Sequence, residues 1–275
     1  MRIKYIQDII DKIRIPLKRI NNIQTKFFEL EQQLNEIKYI CLPALAVHQK
    51  VFPKYKNINK DKSVVIMGSG PTLKYYNVLE NAVHIGVNHI FTLKNFSLDY
   101  LFIHDNLSVN NTDIQKKANN YKPNSCKKFY GYHYINKYSI PEQDVTDANA
   151  ERYYFIDNNI PTSEHALLSA DISTRPLNCW SSVIFPAIEF ALWTHPKTIY
   201  IVGCDCSQNG HIFWNQKENF CPGVERMLYG WQQIKNFRDA KYPDIEIISI
   251  NPVGLKGLFK DIYTQEYVNE QTNNE

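Results

Sequence analysis

The run Ser63-Val64-Val65-Ile66-Met67 opens directly onto Gly68-Ser69-Gly70-Pro71-Thr72, and few chain paths accommodate that order. A β-branched run of this length reads as a buried strand. The glycines read as a tight turn, and Pro71 or Thr72 as the entry of a helix. Glycine admits close approach of a ligand to the backbone, and amide groups at a helix N-terminus favour anionic oxygens. The turn is therefore a candidate nucleotide site, although any α/β protein can use the same turn to join strand to helix. It is not GxGxxG, because Thr72-Leu73 stands where the third glycine is expected, and no Lys-Ser/Thr pair completes a P-loop.

The rest of the chain repeats the theme. Strands are predicted at 63–67, 83–87, 99–104, 127–131, 152–156, 198–203 and 245–250, with helices at 181–194 and 224–241. This alternation predicts an α/β fold, a Rossmann-like, mostly parallel sheet with helices on both faces. In such sheets ligands bind beyond the carboxyl ends of the strands. Five groups stand there: Gly68–Thr72, Asn88-His89, His104-Asp105-Asn106, Asp205 and Asn251-Pro252. They are expected to converge on one cleft.

Residues 1–42 carry a different pattern. Ile3, Ile6, Ile10, Ile13, Leu17 and Ile20 recur at spacings of three and four, a heptad seam. Ile23, Phe27, Leu30, Leu34, Ile37 and Cys41 resume it after one extra step of three, a stammer. Pro16 is expected to split the helix near residue 15. The segment is predicted to be coiled-coil-like, packing on a second copy in a homo-oligomer or back on the domain. A second reading is a basic amphipathic helix on an anionic membrane surface, since residues 1–20 carry six Lys/Arg against two Asp/Glu. An ordinary solvated basic face is the plainest alternative. Residues 43–62, with two prolines and several Asn and Lys, read as a linker to a domain spanning 63–275.

The 275 residues suffice for one α/β domain with an appendage, and a formal charge of +3 is too mild to argue for nucleic acid. No run approaches the roughly 20 apolar residues of a membrane span, and no signal peptide is evident. Six cysteines without a CxxC pair read as reduced cytosolic thiols, so a cytoplasmic protein is expected.

With these residues in view, the chain resembles the bacterial sialyltransferases of Campylobacter type and the related motility-accessory-factor proteins. Their shared domain carries the label 6-hydroxymethylpterin pyrophosphokinase-like. Val65-Ile-Met-Gly-Ser-Gly-Pro-Thr-Leu-Lys74 resembles their Gly-Asn-Gly-Pro-Ser-Leu-Lys motif, and Val87-Asn88-His89-Ile90-Phe91 their Cys-Asn-Gln-Phe segment. Lys197–Gly210 resembles Lys-Glu-Ile-Tyr-Leu-Ser-Gly-Ile-Asp-Phe-Tyr-Gln-Asn-Gly, and Asn251-Pro252 with Leu255 a late Pro-Asn-Ser-Leu-Leu segment. The similarity covers residues 63–262, in the right order.

The resemblance implies a GT-A-like Rossmann variant that takes a sugar from a cytidine-monophosphate donor to an acceptor hydroxyl. It implies no metal and no cofactor beyond that donor substrate, and a surface glycan as acceptor partner; the amphipathic N-terminus suits peripheral contact at the inner membrane, where lipid-linked acceptors lie. It also implies that Ser69 lies beside the phosphate, that Asn88 contacts the nucleotide, that Ser181 and Ser182 face cytosine and ribose, and that Asp205 and Gly210 frame a lid at 206–230. Two departures stand out. The lid stretch from Cys221 to Trp231 has no histidine, and His104-Asp105-Asn106 replaces the family's Asn-Pro-Ser.

Group transfer from such a donor needs stabilisation of the leaving phosphate, an oriented acceptor and a base. Backbone amides of Gly68, Ser69, Gly70 and Thr72 around Pro71 are candidates for the phosphate, with Tyr229 or Arg226. His211, His104 and Asp105 are the candidate catalytic groups. His211 has an intrinsic pKa suited to base work near neutrality, and a plain loop hydrogen bond is its alternative. Asn106 and Asn251 complete the candidate binding set. A pterin pyrophosphokinase-like enzyme and a non-catalytic assembly subunit on a nucleotide fold are the competing functions.

Overall fold

The structure is a computed structural model that describes residues 19–31, 42–104, 117–133, 150–156, 168–208, 210–212 and 223–273. The chain divides into two compact units, Met1–Pro43 and Ala44–Glu275.

Of the first unit, residues 19–31 form a helix (α1) that leaves Ile20, Ile23, Phe27, Phe28 and Leu30 exposed. Pro16 and the seam positions before residue 19 and from 34 to 41 lie outside the described residues.

The second unit is built on one nine-stranded sheet in which every neighbouring pair is parallel. In chain order the strands are β1 (Ser63–Met67), β2 (Val83–Val87), β3 (Tyr100–Ile103), β4 (Lys127–His133), β5 (Ala150–Ile156), β6 (Leu177–Asn178), β7 (Thr198–Val202), β8 (Glu246–Ile250) and β9 (Lys260–Ile262). Their order in space is β6-β5-β4-β3-β2-β1-β7-β8-β9. Winding goes one way from β1 to β6 and the other way from β7, so the switch point lies between β1 and β7. The helices with both ends described are α2 (Leu42–Val51), α3 (Ile184–Trp193), α4 (Val224–Lys241) and α5 (Gln265–Asn273). This is the α/β, Rossmann-like arrangement that the alternating pattern implied.

The centre of the sheet is covered on both sides, which is why β1 is a continuous apolar run rather than an alternating one. Val64 to Met67 are all fully buried. On one face Phe102 stacks on Phe129 at 4.6 Å, and Phe190 of α3 meets Tyr100, Phe102 and Phe129 at 5.0–5.4 Å. Each such aromatic pair adds about 0.5–1.5 kcal/mol beyond simple burial. On the opposite face Leu98 and Ile90 close over Gly86, where an added Cβ would come within 2.5 Å of Leu98.

Two expectations are corrected here. Residues 43–62 are not a linker. They form α2 and a 3-10 turn at Pro53–Tyr55, with Val51, Phe52 and Tyr55 in the core. Buried His48 of α2 donates from Nδ1 to Ile172 O at 2.9 Å and accepts the Tyr154 N–H on Nε2 at 2.8 Å. Trp193 Nε1 donates to Phe52 O at 2.9 Å, so the stretch is stitched to the end of α3. Secondly, the expected helix after the glycine turn is a five-residue 3-10 helix, Pro71–Tyr75. Tyr76 is already extended (φ −79°, ψ 118°) and donates back to Leu73 O, which ends it.

Candidate functional site

A cavity of about 380 Å³ opens at the carboxyl ends of the strands, across the switch point. The first residue after each of five strands lines it: Gly68 after β1, Asn88 after β2, His104 after β3, Cys179 after β6 and Gly203 after β7. Val87, Val183, Ile184, Met227 and Trp231 supply its apolar wall. The volume falls in the roughly 300–1,000 Å³ range of small-molecule sites.

The glycine turn is shaped by its neighbour strand more than by a ligand. Gly68 N–H donates to Val202 O at 2.8 Å and Gly70 N–H to Gly203 O at 2.7 Å, so β1 and β7 keep pairing past their ends. A Cβ on Gly68 would lie 2.4 Å from Gly203 O, and one on Gly70 would lie 2.5 Å from the Asp205 carboxyl carbon. Thr72 gives both its N–H, at 3.0 Å, and its hydroxyl to the Asp205 carboxylate. Of the four amides expected to cradle a phosphate, those of Gly68, Gly70 and Thr72 are therefore spent within the fold, the last on the Asp205 carboxylate. Burial pushes the Asp205 carboxyl upward, opposed by the two Thr72 hydrogen bonds.

What faces the cavity from this turn is Ser69. Its Oγ lies 2.6 Å from Nδ1 of His211. The Ile212 N–H donates to Ser69 O at 2.7 Å, which fixes the His211 segment against the turn.

Across the cavity, His104 continues the Phe102 row of β3. Its backbone N–H donates to Asn88 Oδ1 at 2.9 Å. The imidazole stacks on Phe155 (3.7 Å, 15°), and its Nε2 is 2.5 Å from the Tyr153 hydroxyl. The ring fits because residue 131 of β4 is glycine: a Cβ there would stand 2.4 Å from His104 Cδ2. Burial, then the nearby Cys179 and Glu189, push the Tyr153 phenol well above 10, so it stays protonated.

The third wall is the segment before α3. Trp180 and Ser181 hold φ of +40° and +65°, and Asn88 and Cys206 hold +45° and +44°. Ser181, Asn88 and Cys206 all line the cavity, and left-handed backbone at non-glycine residues costs of order 1–3 kcal/mol each. Arg226, in the first turn of α4, donates from Nη1 to Ser181 Oγ at 2.6 Å. Ser182 follows on this side, and Gly210, beside His211, also lines the cavity.

The structure therefore gathers Gly68, Ser69, Gly70, Asn88, His104, Ser181, Ser182, Asp205, Gly210 and His211 around one space. Pro71 and Thr72 stand behind the wall. Asn251 is corrected from ligand to fastener: its side chain holds Thr264 (2.8 and 3.0 Å), and with Asp205 and Ser249 it lines a separate void of about 10 Å³. Tyr229 packs against the hydrophobic core. Asp105 and Asn106 lie outside the described residues, as do 209 and 213–222 of the expected lid. Residues 224–230 are the first turns of α4 rather than lid. Cys179, Met227, Trp231 and Tyr153 were missed. Only their places after a strand or on an apolar helix face hinted at them. Among the described residues, no group of three or more His, Cys, Asp or Glu is placed to hold a metal ion. No helix among them is long and apolar enough to cross a membrane.

No protein-family model, curated protein or solved structure matches this chain.

Proposed function

We propose that the cavity binds the nucleotide of a cytidine-monophosphate-activated sugar and that the protein transfers that sugar to a hydroxyl of a surface glycan. The pairing of Ser69 with His211 carries this reading, because it puts a hydroxyl and an imidazole side by side at the switch point. With its proton on Nδ1, His211 donates to Ser69 Oγ and keeps Nε2 as an acceptor. Ser69 is then able to donate its own proton to a phosphate oxygen. In the reaction, the acceptor oxygen bonds to the anomeric carbon as the bond from that carbon to the phosphate oxygen breaks. The cytidine monophosphate leaves with the electron pair, and the acceptor proton passes to His211 Nε2.

Stabilisation of the departing phosphate falls to the hydroxyls of Ser69 and Ser181, the latter polarised by Arg226. Trp231 and Met227 offer the pyrimidine an apolar surface. A cytoplasmic reaction beside the inner membrane fits a lipid-linked acceptor and the basic N-terminal segment. A thermal-shift series tests the reading. Stabilisation by cytidine monophosphate supports it, stabilisation by ATP with Mg²⁺ favours the pterin pyrophosphokinase-like alternative, and no response to any nucleotide favours an assembly subunit.

A further inference from the structure

Three cysteines line the cavity, and their surroundings differ. Cys204 is half-buried and donates from Sγ to Val202 O at 3.5 Å, and desolvation pushes its thiol well above 9, with the charges of Cys206 and Asp205 adding to the effect; Cys206 is half-buried as well. Cys179 has a base beside it: its Sγ lies 3.7 Å from Nδ1 of His104. That imidazole is held in place by the Phe155 ring on its face and the Tyr153 hydroxyl at Nε2. Cys179 itself is 5% exposed, and it is reached through the cavity.

We propose that Cys179 and His104 form a thiol–imidazole nucleophile pair, making Cys179 a covalent modification site for small, uncharged, soft electrophiles that enter the cavity. Proton transfer from Sγ to Nδ1 gives a thiolate beside an imidazolium. Nδ1–H then donates to sulfur and Nε2–H to the Tyr153 oxygen. The protonated phenol accepts that bond without a charge of its own. With an alkyl iodide as electrophile, the sulfur–carbon bond forms as the carbon–iodine bond breaks, and iodide leaves with the bonding pair. The imidazolium proton then returns to water. The titratable groups around the pair are His104 after β3, Tyr153 on β5 and Glu189 on α3, whose carboxylate binds Asn178 beside Cys179. This inference does not depend on which nucleotide the cavity takes.

The test is alkylation of the native full-length protein by iodoacetamide, read at each cysteine by mass spectrometry over time. Cys179 is expected to label ahead of Cys204 and Cys206, although both are more exposed than it is, and ahead of Cys126, which is fully buried. An ordinary thiol is only a few per cent thiolate at pH 7 and its rate climbs up to about pH 8.5. Cys179 is expected to label at a rate nearly flat from pH 7 to 9. His104→Gln is expected to slow it severalfold at pH 7, the gain in thiolate being partly offset by weaker intrinsic nucleophilicity. The variant should also restore the climb with pH. Because that variant can fail to fold, the pH profile of the unaltered protein decides by itself. A Cys179 rate that rises with pH like a free thiol, or labelling no faster than Cys204 or Cys206, overturns the proposal.

Discussion

Ser69 Oγ and His211 Nδ1 lie 2.6 Å apart, joining the turn after the first strand to a residue 142 positions later in the chain. Both stand at the reversal of strand order, where the sheet leaves a crevice that neither half of the winding fills. Because Asp205 and the β7 side of the turn have taken the amides of Gly68, Gly70 and Thr72, the chemistry proposed here rests on side chains.

His211→Ala is expected to abolish sugar transfer while leaving affinity for cytidine monophosphate within a few-fold. A positioned base contributes typically 10²–10⁴-fold to rate. Steady-state turnover with calorimetric titration of the nucleotide separates the two effects. Surviving turnover would move the base to His104.

Gly131→Ala should displace the His104 ring, since the new methyl would sit 2.4 Å from Cδ2 and the ring is already held by Phe155 and Tyr153. Overpacking of this kind costs about 1–3 kcal/mol. Urea unfolding should show that loss.

Two buried groups give opposed pH dependences. Desolvation lowers His48 to about 4, so its neutral form is favoured in the fold. Its stabilisation is complete above about 6.5 and is lost as pH falls towards 4. Desolvation raises Glu189 to about 7 against the Asn178 hydrogen bonds and the Arg175 charge, so its protonated form is favoured. That stabilisation is complete below about 4.5 and is lost as pH rises through 7. The two groups therefore pull stability in opposite directions between pH 4.5 and 6.5. Glu189→Gln keeps an oxygen for Asn178 and removes one titration. It should unmask acid lability from His48 and raise stability at pH 8 by on the order of 3 kcal/mol. Melting temperatures across this pH range are the check.

The exposed face of α1 should pair with a second copy of the chain. Ile20, Ile23, Phe27 and Leu30 occupy a and d positions, which puts Lys26 at g and Glu31 at e. A parallel, in-register pair sets Lys26 against Glu31 of the other copy. The antiparallel alternative centres on residue 25 and brings the two Lys26 side chains together. Lys26→Glu should therefore lower the mass seen by light scattering, and adding Glu31→Lys should restore it. An unchanged mass in the single variant would reject this seam.

Much of the sheet was readable from β-branched runs bounded by glycine, asparagine and proline. β1, β2, β3, β7 and β8 fall within a residue of where those runs end. β6 and β9 escaped because two and three residues, Leu177-Asn178 and Lys260-Asp261-Ile262, carry no period. α2 was hidden by the surrounding Asn, Lys and Pro, which obscured that His48, Phe52 and Tyr55 point inward. Strand ends identified most of the cavity, because a parallel sheet brings them together wherever they stand in the chain. The same rule failed at Asn251, which turns back to Thr264. What sequence could not show was which polar groups spend their hydrogen bonds on the fold. Asp205 on Thr72, and the amides of Gly68 and Gly70 on β7, become visible only as distances.

The most direct measurement is a crystal structure of the complex with cytidine monophosphate. A phosphate oxygen is expected within hydrogen-bond distance of Ser69 Oγ, with the cytosine beside Ser181 and Ser182. Nucleotide bound elsewhere on the domain, or no binding at millimolar concentration, would contradict the proposed function.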